Sequence, residues 1–187
     1  MYPHARGVTL LELLIALAIC ALLFGMAVPG LGTTIRKNEG EAVVNEVQRL
    51  MAYARSEAIT QGRNVTLCRS NNGTSCGGEW EQGVLMFADL NADGVFNGAD
   101  QLLRQSTFTP GTGTLRLHSY PNRQYVQFVA EGFTRGQSGN FTWCPADHNA
   151  QLAQQVIFIQ SGRARLARDS NGDGIREAAD GKPLSCD

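Results

Sequence analysis

Two hydrophobic rhythms divide the chain. From Val8 to Val28 the sequence reads VTLLELLIALAICALLFGMAV, 21 residues with a single charge, Glu12. A run of that length is enough to cross a bilayer as a helix, which needs about 20 apolar residues. Beyond Pro29 the pattern becomes amphipathic. Val43, Val47, Leu50, Met51, Ala54 and Ala58 fall on one face, at spacings of three and four, and Gly62 is a natural stop. The two stretches together predict roughly 54 residues of helix, about 80 Å at 1.5 Å per residue. Gly25 and Pro29 should weaken it locally, because proline removes a backbone donor and clashes with the preceding turn. The first half is apolar all round, so a soluble domain can pack only on the second half.

From Arg63 onward the period changes to two. Val65 and Leu67, Val84 and Met86, Val126, Phe128 and Ala130, and Phe141 and Trp143 alternate with other residues. Val156-Ile157-Phe158-Ile159 is apolar on both faces and reads as a central strand. Turn signals stand at Asn72-Gly73, Gly77-Gly78, Asp93-Gly94, Gly111 to Gly113, Gly139-Asn140 and Asp173-Gly174. The expected class is α+β, with one long N-terminal helix laid across one or two antiparallel sheets.

Composition narrows the picture. A chain of 187 residues fits one domain plus an extra element. Sixteen basic and seventeen acidic side chains give a net charge of -1, which argues against a protein that binds polyelectrolytes over its whole surface. Any nucleic-acid contact has to be local. Of five cysteines, Cys20 lies in the first apolar run and Cys68, Cys76, Cys144 and Cys186 lie outside it. An even set in the polar part suggests disulfides and an oxidising compartment. Four cysteines pair in three ways. Cys68 and Cys76 flank a short Asn-Gly loop, so the preferred pairing is Cys68–Cys76 with Cys144–Cys186. Their spacings are too wide for a zinc site.

Glu12 needs a reason. A charge in hydrocarbon costs about 2.5–3.5 kcal/mol on insertion scales and is normally functional. A signal peptide or a plain anchor gives no reason for it. Arg6-Gly7 followed by Val8-Thr9-Leu10-Leu11-Glu12 resembles the leader signal of type IV prepilins. That resemblance implies cleavage between Gly7 and Val8 by a prepilin peptidase and methylation of the new terminus. Glu12 then becomes the fifth mature residue, and Pro29 the twenty-second. Val8 departs mildly from the usual phenylalanine. In a filament the new amine can neutralise Glu12 of a neighbouring subunit, because a buried carboxylate needs a partner.

Tyr53-Ala-Arg55-Ser-Glu57-Ala58-Ile59, then Val65-Thr66-Leu67-Cys68, Gly83-Val-Leu-Met-Phe87-Ala-Asp89 and Leu102-Leu103-Arg104 are similar to the GspH/FimT/FimU family of minor pilins and pseudopilins. The resemblance implies a leader over 1–7, a membrane-spanning half-helix over 8–29, an amphipathic half over 30–62 and a periplasmic β-rich domain over 63–187. It implies a single pass through the inner membrane, then entry into a pilus or pseudopilus beside other subunits. The function implied is a minor type IV pilin that helps start or assemble the filament. The alternative is a type II secretion pseudopilin involved in protein export.

Catalysis is not expected. His4, His118 and His148 are scattered, and no nucleophile signature or phosphate-binding glycine loop is present. No cofactor is required, but calcium is a candidate ligand. Asp89, Asn91, Asp93 and Asp100 carry the oxygen-ligand spacing of an EF-type loop, and Asp169, Asn171, Asp173 and Asp180 repeat it. Both loops end in Asp where the EF pattern has Glu, and a plain Asp-Gly turn is the alternative. Gly162-Arg163-Ala164-Arg165 resembles the Gly-Arg-x-Arg motif of FimT-type minor pilins, which bind DNA during natural transformation. In a strand Arg163 and Arg165 share one face, and Arg168 adds a third cation nearby. Guanidiniums so placed suit phosphate contact with double-stranded DNA. A solvated face, or ion pairs with Asp169 and Asp173, is the alternative.

Overall fold

The computed structural model describes residues 9–108, 111 and 113–186, except for the side chains of residue 24 and residues 26–31. The chain divides into two units, Met1–Lys37 and Asn38–Asp187. One α-helix, α1, spans Leu10–Gln61. It runs through Gly25 and Pro29 without interruption, so the local weakening expected there does not break it. Proline deletes one backbone donor, and the ladder continues on either side.

In the first unit, Leu10, Leu11, Leu14, Ile15, Leu17 and Ile19 all stand more than half exposed. Apolar side chains therefore face outward on every side of this half-helix. Among the described residues no helix is long and apolar enough to cross a membrane. The apolar run of the sequence extends over Val8, which is not described, and over 26–28, whose side chains are not described.

In the second unit, Gly40, Val44, Val47, Met51, Ala54 and Ala58 form the buried stripe of α1, at steps of four and three. Val44 rather than Val43 occupies the inner face, while Val43 is half-buried beside it. The helix ends as the sequence suggests. Gly62 is left-handed at φ +60°, and Arg63 N donates to Ala58 O at 3.2 Å. That six-to-one bond satisfies a carbonyl the helix would otherwise leave open.

Among the described residues eight strands follow, all paired antiparallel. In chain order they are β1 (Val65–Arg69), β2 (Val84–Ala88), β3 (Gln101–Ser106), β4 (Gly113–Tyr120), β5 (Tyr125–Phe128), β6 (Ser138–Pro145), β7 (Gln154–Phe158) and β8 (Ala164–Leu166). They form two four-stranded sheets, ordered β3-β2-β1-β5 and β4-β6-β7-β8. The central core lies between the stripe of α1 and the inner faces of both sheets. Val65, Leu67, Met86, Val126 and Phe128 come from the first sheet, and Leu115, Phe141, Trp143, Val156 and Phe158 from the second.

Each sheet is also covered on its outer face. Cys68, Leu85, Phe87 and Tyr125 of the first sheet pack with Cys76 and Phe96 of the covering loops. Cys144 and Ile157 of the second sheet pack under Ala167, Ile175, Ala178, Leu184 and Cys186 of the C-terminal tail. Disulfides fasten both covers, Cys68–Cys76 on the first sheet and Cys144–Cys186 on the second.

Two local expectations need correction. Gly139-Asn140 is not a turn but part of β6, paired with Ser119 and His118. A Cβ on Gly139 would fall on the carbonyl oxygen of His118, so this glycine permits close backbone approach between strands. Ile159 lies outside β7 and is about half exposed, whereas all five residues of β7 are buried.

Candidate functional site

The processing residues come first along the chain. Gly7 and Val8 lie outside the described residues. Glu12 sits in the first turn of α1. Its amide donates to Thr9 Oγ1 at 3.3 Å, and Leu13 N donates to Thr9 O at 3.2 Å. Thr9 is thus the N-cap and Glu12 the third helical residue, where a carboxylate faces the positive end of the helix dipole.

Arg165 lies in the last strand of the second sheet, with Arg163 just before it and Arg168 just after it. β7 and β8 are joined by a tight turn in which Gly162 N donates to Ile159 O at 2.9 Å. Gly162 has φ +76°, and a Cβ there would strike the carbonyl oxygen of Gly132. Both constraints demand glycine. Ala164 and Leu166 turn inward and pack on the core, while Arg163 and Arg165 are exposed. The free edge of β8 approaches α1, where Gln48 Nε2 donates to Ala164 O at 3.3 Å.

An open groove of about 940 Å³ runs between this edge and α1, lined in part by Glu41, Gln48, Arg165, Arg168, Asp169 and Arg176. The groove brings Arg165 and Arg168 together and leaves Arg163 outside. The spacing of the sequence does not mark Arg176. It is partly committed, with Nη2 3.6 Å from Glu41 Oε1 and Nη1 donating to Ala153 O at 3.5 Å.

The first acidic loop covers the outer face of the first sheet. Asp89 is only 1% exposed. Its Oδ2 accepts from Thr66 Oγ1 at 2.7 Å, Gln127 Nε2 at 2.6 Å and Gly94 N at 2.9 Å. Gln127 N donates to Gln137 Oε1 at 3.0 Å, extending a polar network through the buried layer. Asp93 Oδ1 accepts Val95 N at 2.8 Å, and its Oδ2 accepts the side-chain amides of Asn91 and Asn97. The Val95 amide, then Asn97, hold the Asp93 carboxyl below the usual range. Asp100 accepts the amides of Leu90 and Asn97, each oxygen taking one. Asp89 turns inward to the sheet, while Asp93 and Asp100 serve their own loop.

The second loop repeats these turn bonds around an exposed Asp169 in place of a buried Asp89. Asp169 accepts Gly172 N at 2.6 Å and Gly174 N at 2.9 Å, and these amides hold its carboxyl below the usual range. Asp173 accepts Ile175 N, and Asn171 accepts Asp173 N. Asp180, the expected closing residue, turns instead to Lys182. It accepts the Lys182 amide at 3.2 Å and lies 3.3 Å from Lys182 Nζ. In its place the structure brings Glu177 toward Asp169 and Asp173, with ligand oxygens of the three carboxylates within 4.8 Å of one another. The acid at the ninth position of the loop is the sequence signal for this arrangement, and the Asp at the twelfth position masks it.

Among known families, residues 43–169 match the one described as Type II transport protein GspH, more than half of the chain. The chain belongs to the GspH family. Residues 3–28 also match the prokaryotic N-terminal methylation motif, which places Glu12 inside it. No curated protein matches the chain. Among solved structures, the chain is similar to the type IV minor pilin FimU of Pseudomonas aeruginosa in two crystal forms. One aligns at 22% identity and a TM-score of 0.55, over 70% of this chain and 90% of FimU. The other aligns at 19% identity and a TM-score of 0.52, over 68% and 92%. The minor pseudopilin EpsH from the type 2 secretion system of Vibrio cholerae aligns at 15% identity and a TM-score of 0.46, over 68% of this chain and 95% of EpsH. The FimU likeness shows a shared fold, the helix and two antiparallel sheets of this GspH-family chain.

Proposed function

We propose that this chain is a minor structural subunit of a type IV pilus, made as a prepilin and used to start or assemble the filament. The observation that carries the reading is the presence of both matches in one chain, the methylation motif over 3–28 and the GspH domain over 43–169. A prepilin peptidase removes residues 1–7, and Val8 becomes the methylated terminus. The following segment holds the subunit in the inner membrane, with the β-rich domain in the periplasm. The outward-facing leucines and isoleucines of the first half-helix support this, since water is a poor solvent for such a surface. The N-cap at Thr9 supports it as well, because the helix then begins two residues after the new terminus. Within a filament the Val8 amine of one subunit neutralises Glu12 of its neighbour. The chain works by assembly and not by catalysis.

A finer reading concerns DNA. Arg163 and Arg165 stand exposed on the turn and last strand, with Arg168 beside them. Arginine contacts to phosphate position a duplex without reading bases. We infer weak, sequence-independent binding of double-stranded DNA at this edge, as uptake in natural transformation requires. The family description itself, a type II transport protein, favours one other reading, a pseudopilin in a protein-export machine.

Mass spectrometry of the subunit from cells with an active prepilin peptidase tests the main reading. The expected terminus is methylated Val8, and Glu12→Ala should reach the membrane but enter filaments poorly. An intact Met1 terminus, or normal incorporation of that variant, would overturn it. Deleting the gene then separates the two machines, by loss of pili in one case and of protein secretion in the other.

A further inference from the structure

Glu177 is the one acid of the second loop that spacing did not mark, and it is the most constrained. It is 8% exposed. Its backbone is bridged to Arg168 on one side and to Pro183 on the other. Glu177 Oε2 accepts Ser170 N at 2.7 Å, which aims the side chain at the loop. Glu177 Oε1 is buried and has no hydrogen-bond partner among the described residues. A buried carboxylate oxygen without a donor is costly and calls for a partner. The neighbouring cation does not supply one, because Arg176 is engaged by Glu41 and Ala153.

We propose that Asp169, Asp173 and Glu177 form a calcium site, with Glu177 Oε1 as its buried ligand. The three carboxylates offer oxygens within 4.8 Å of one another. Two oxygens bound to one calcium, each about 2.4 Å away, can stand no more than about 4.8 Å apart, so all three carboxylates are within reach of a single ion. Magnesium, at about 2.1 Å, draws its ligands closer and retains more water. The donor set is all oxygen, the chemistry of a hard cation, with no imidazole or thiolate to favour zinc. Asp169, Asn171 and Asp173 occupy the first, third and fifth positions of the loop, and Gly174 takes the sixth with φ +87°. The hydrogen bonds that Asp169 and Asp173 accept leave each carboxylate further lone pairs. Asn171 Oδ1, loop carbonyls and water remain for the other coordination positions. Asp180 is not a ligand, since it serves Lys182. The first acidic loop is not a second site, because Asp89 is buried, with Oδ2 taking three donors and Oδ1 accepting Asp93 N.

The test is calorimetric titration of the full-length chain in detergent micelles, first stripped with EDTA, with calcium chloride and separately with magnesium chloride. One calcium should bind with half-saturation at about 1 mM or below, the range of extracellular modules, and magnesium at least about tenfold more weakly. Glu177→Gln and Asp173→Asn should each weaken calcium about tenfold or more, and Asp180→Asn and Asp93→Asn should leave it unchanged. Absence of calcium heat up to about 10 mM, or equal affinity for magnesium, would overturn the proposal. Asp173 is exposed, so its variant should fold even where Glu177→Gln does not. A folded Asp173→Asn chain that keeps full affinity sinks the site by itself.

Discussion

Gly40 of α1 lies flat against the indole of Trp143, so closely that a Cβ built on it would stand 2.5 Å from Cε3 and 2.6 Å from Cζ3. Gly113 presses on the same ring from β4, where a Cβ would also collide with it. Trp143 is 1% exposed and lies in close approach to both glycines. Gly40→Ala should therefore destabilise the domain by about 1–3 kcal/mol, the range for overpacking a filled core. Helix propensity works the other way by about 1 kcal/mol, so the clash decides the sign. Gly32→Ala, where nothing lies within 4 Å of the new methyl, is the control and should not destabilise. Chemical denaturation of both variants measures the difference.

Asp89 holds three donors on one oxygen in a buried layer. Asp89→Ala leaves Thr66 and Gln127 facing an empty position, and each unsatisfied buried group costs about 1–3 kcal/mol. The expected loss is about 2–4 kcal/mol, present equally in calcium and in EDTA. A loss that appeared only in calcium would mean that the first loop binds the ion after all.

The arginine edge makes a prediction in salt. Arg163→Gln with Arg165→Gln should weaken binding to double-stranded DNA. It should also flatten the dependence of log K on log salt by about 0.9 for each phosphate that the protein no longer neutralises. Both side chains are exposed, so circular dichroism should show an unchanged fold. DNA uptake should fall further than pilus assembly. No mobility shift of wild-type protein at low salt and high micromolar concentration would end the receptor reading for the isolated subunit.

Acid should loosen the loops. The Gly172 amide, then that of Gly174, hold the Asp169 carboxyl below its usual range, and the Lys182 amide does the same for Asp180. A depressed folded-state value stabilises above the unfolded value, near pH 4, and that contribution disappears as pH falls through the folded one. In EDTA the melting temperature should be flat from about pH 7 to 5 and decline below about pH 4. Asp169→Asn should start lower at neutral pH and decline less, so that the two curves converge in acid.

Much of the architecture was readable from period alone. The stripe from Val47 to Ala58, the stop at Gly62 and the alternation in β1, β2, β5 and β6 each follow from local pattern. Thr66 and Gln127 were not readable as core residues, because polar side chains in alternating strands read as solvent-facing. A loop folded back over the sheet buries them, and that is a long-range event. Gly139 misled for a related reason, since a glycine that admits a neighbouring backbone looks in sequence like one that turns. At the second acidic loop the spacing marked Asp169 and Asp173, which the structure brings near each other. The partner that joins them, Glu177, is fixed by bridges to Arg168 and Pro183 that no local pattern reveals.

The Cys144–Cys186 bond closes a covalent ring that contains β7, β8, the arginine edge and the second acidic loop. A single proteolytic cut anywhere between 145 and 185 would therefore open the ring but release nothing. The two pieces would stay joined through sulfur, and a nicked subunit would run at full mass until it was reduced.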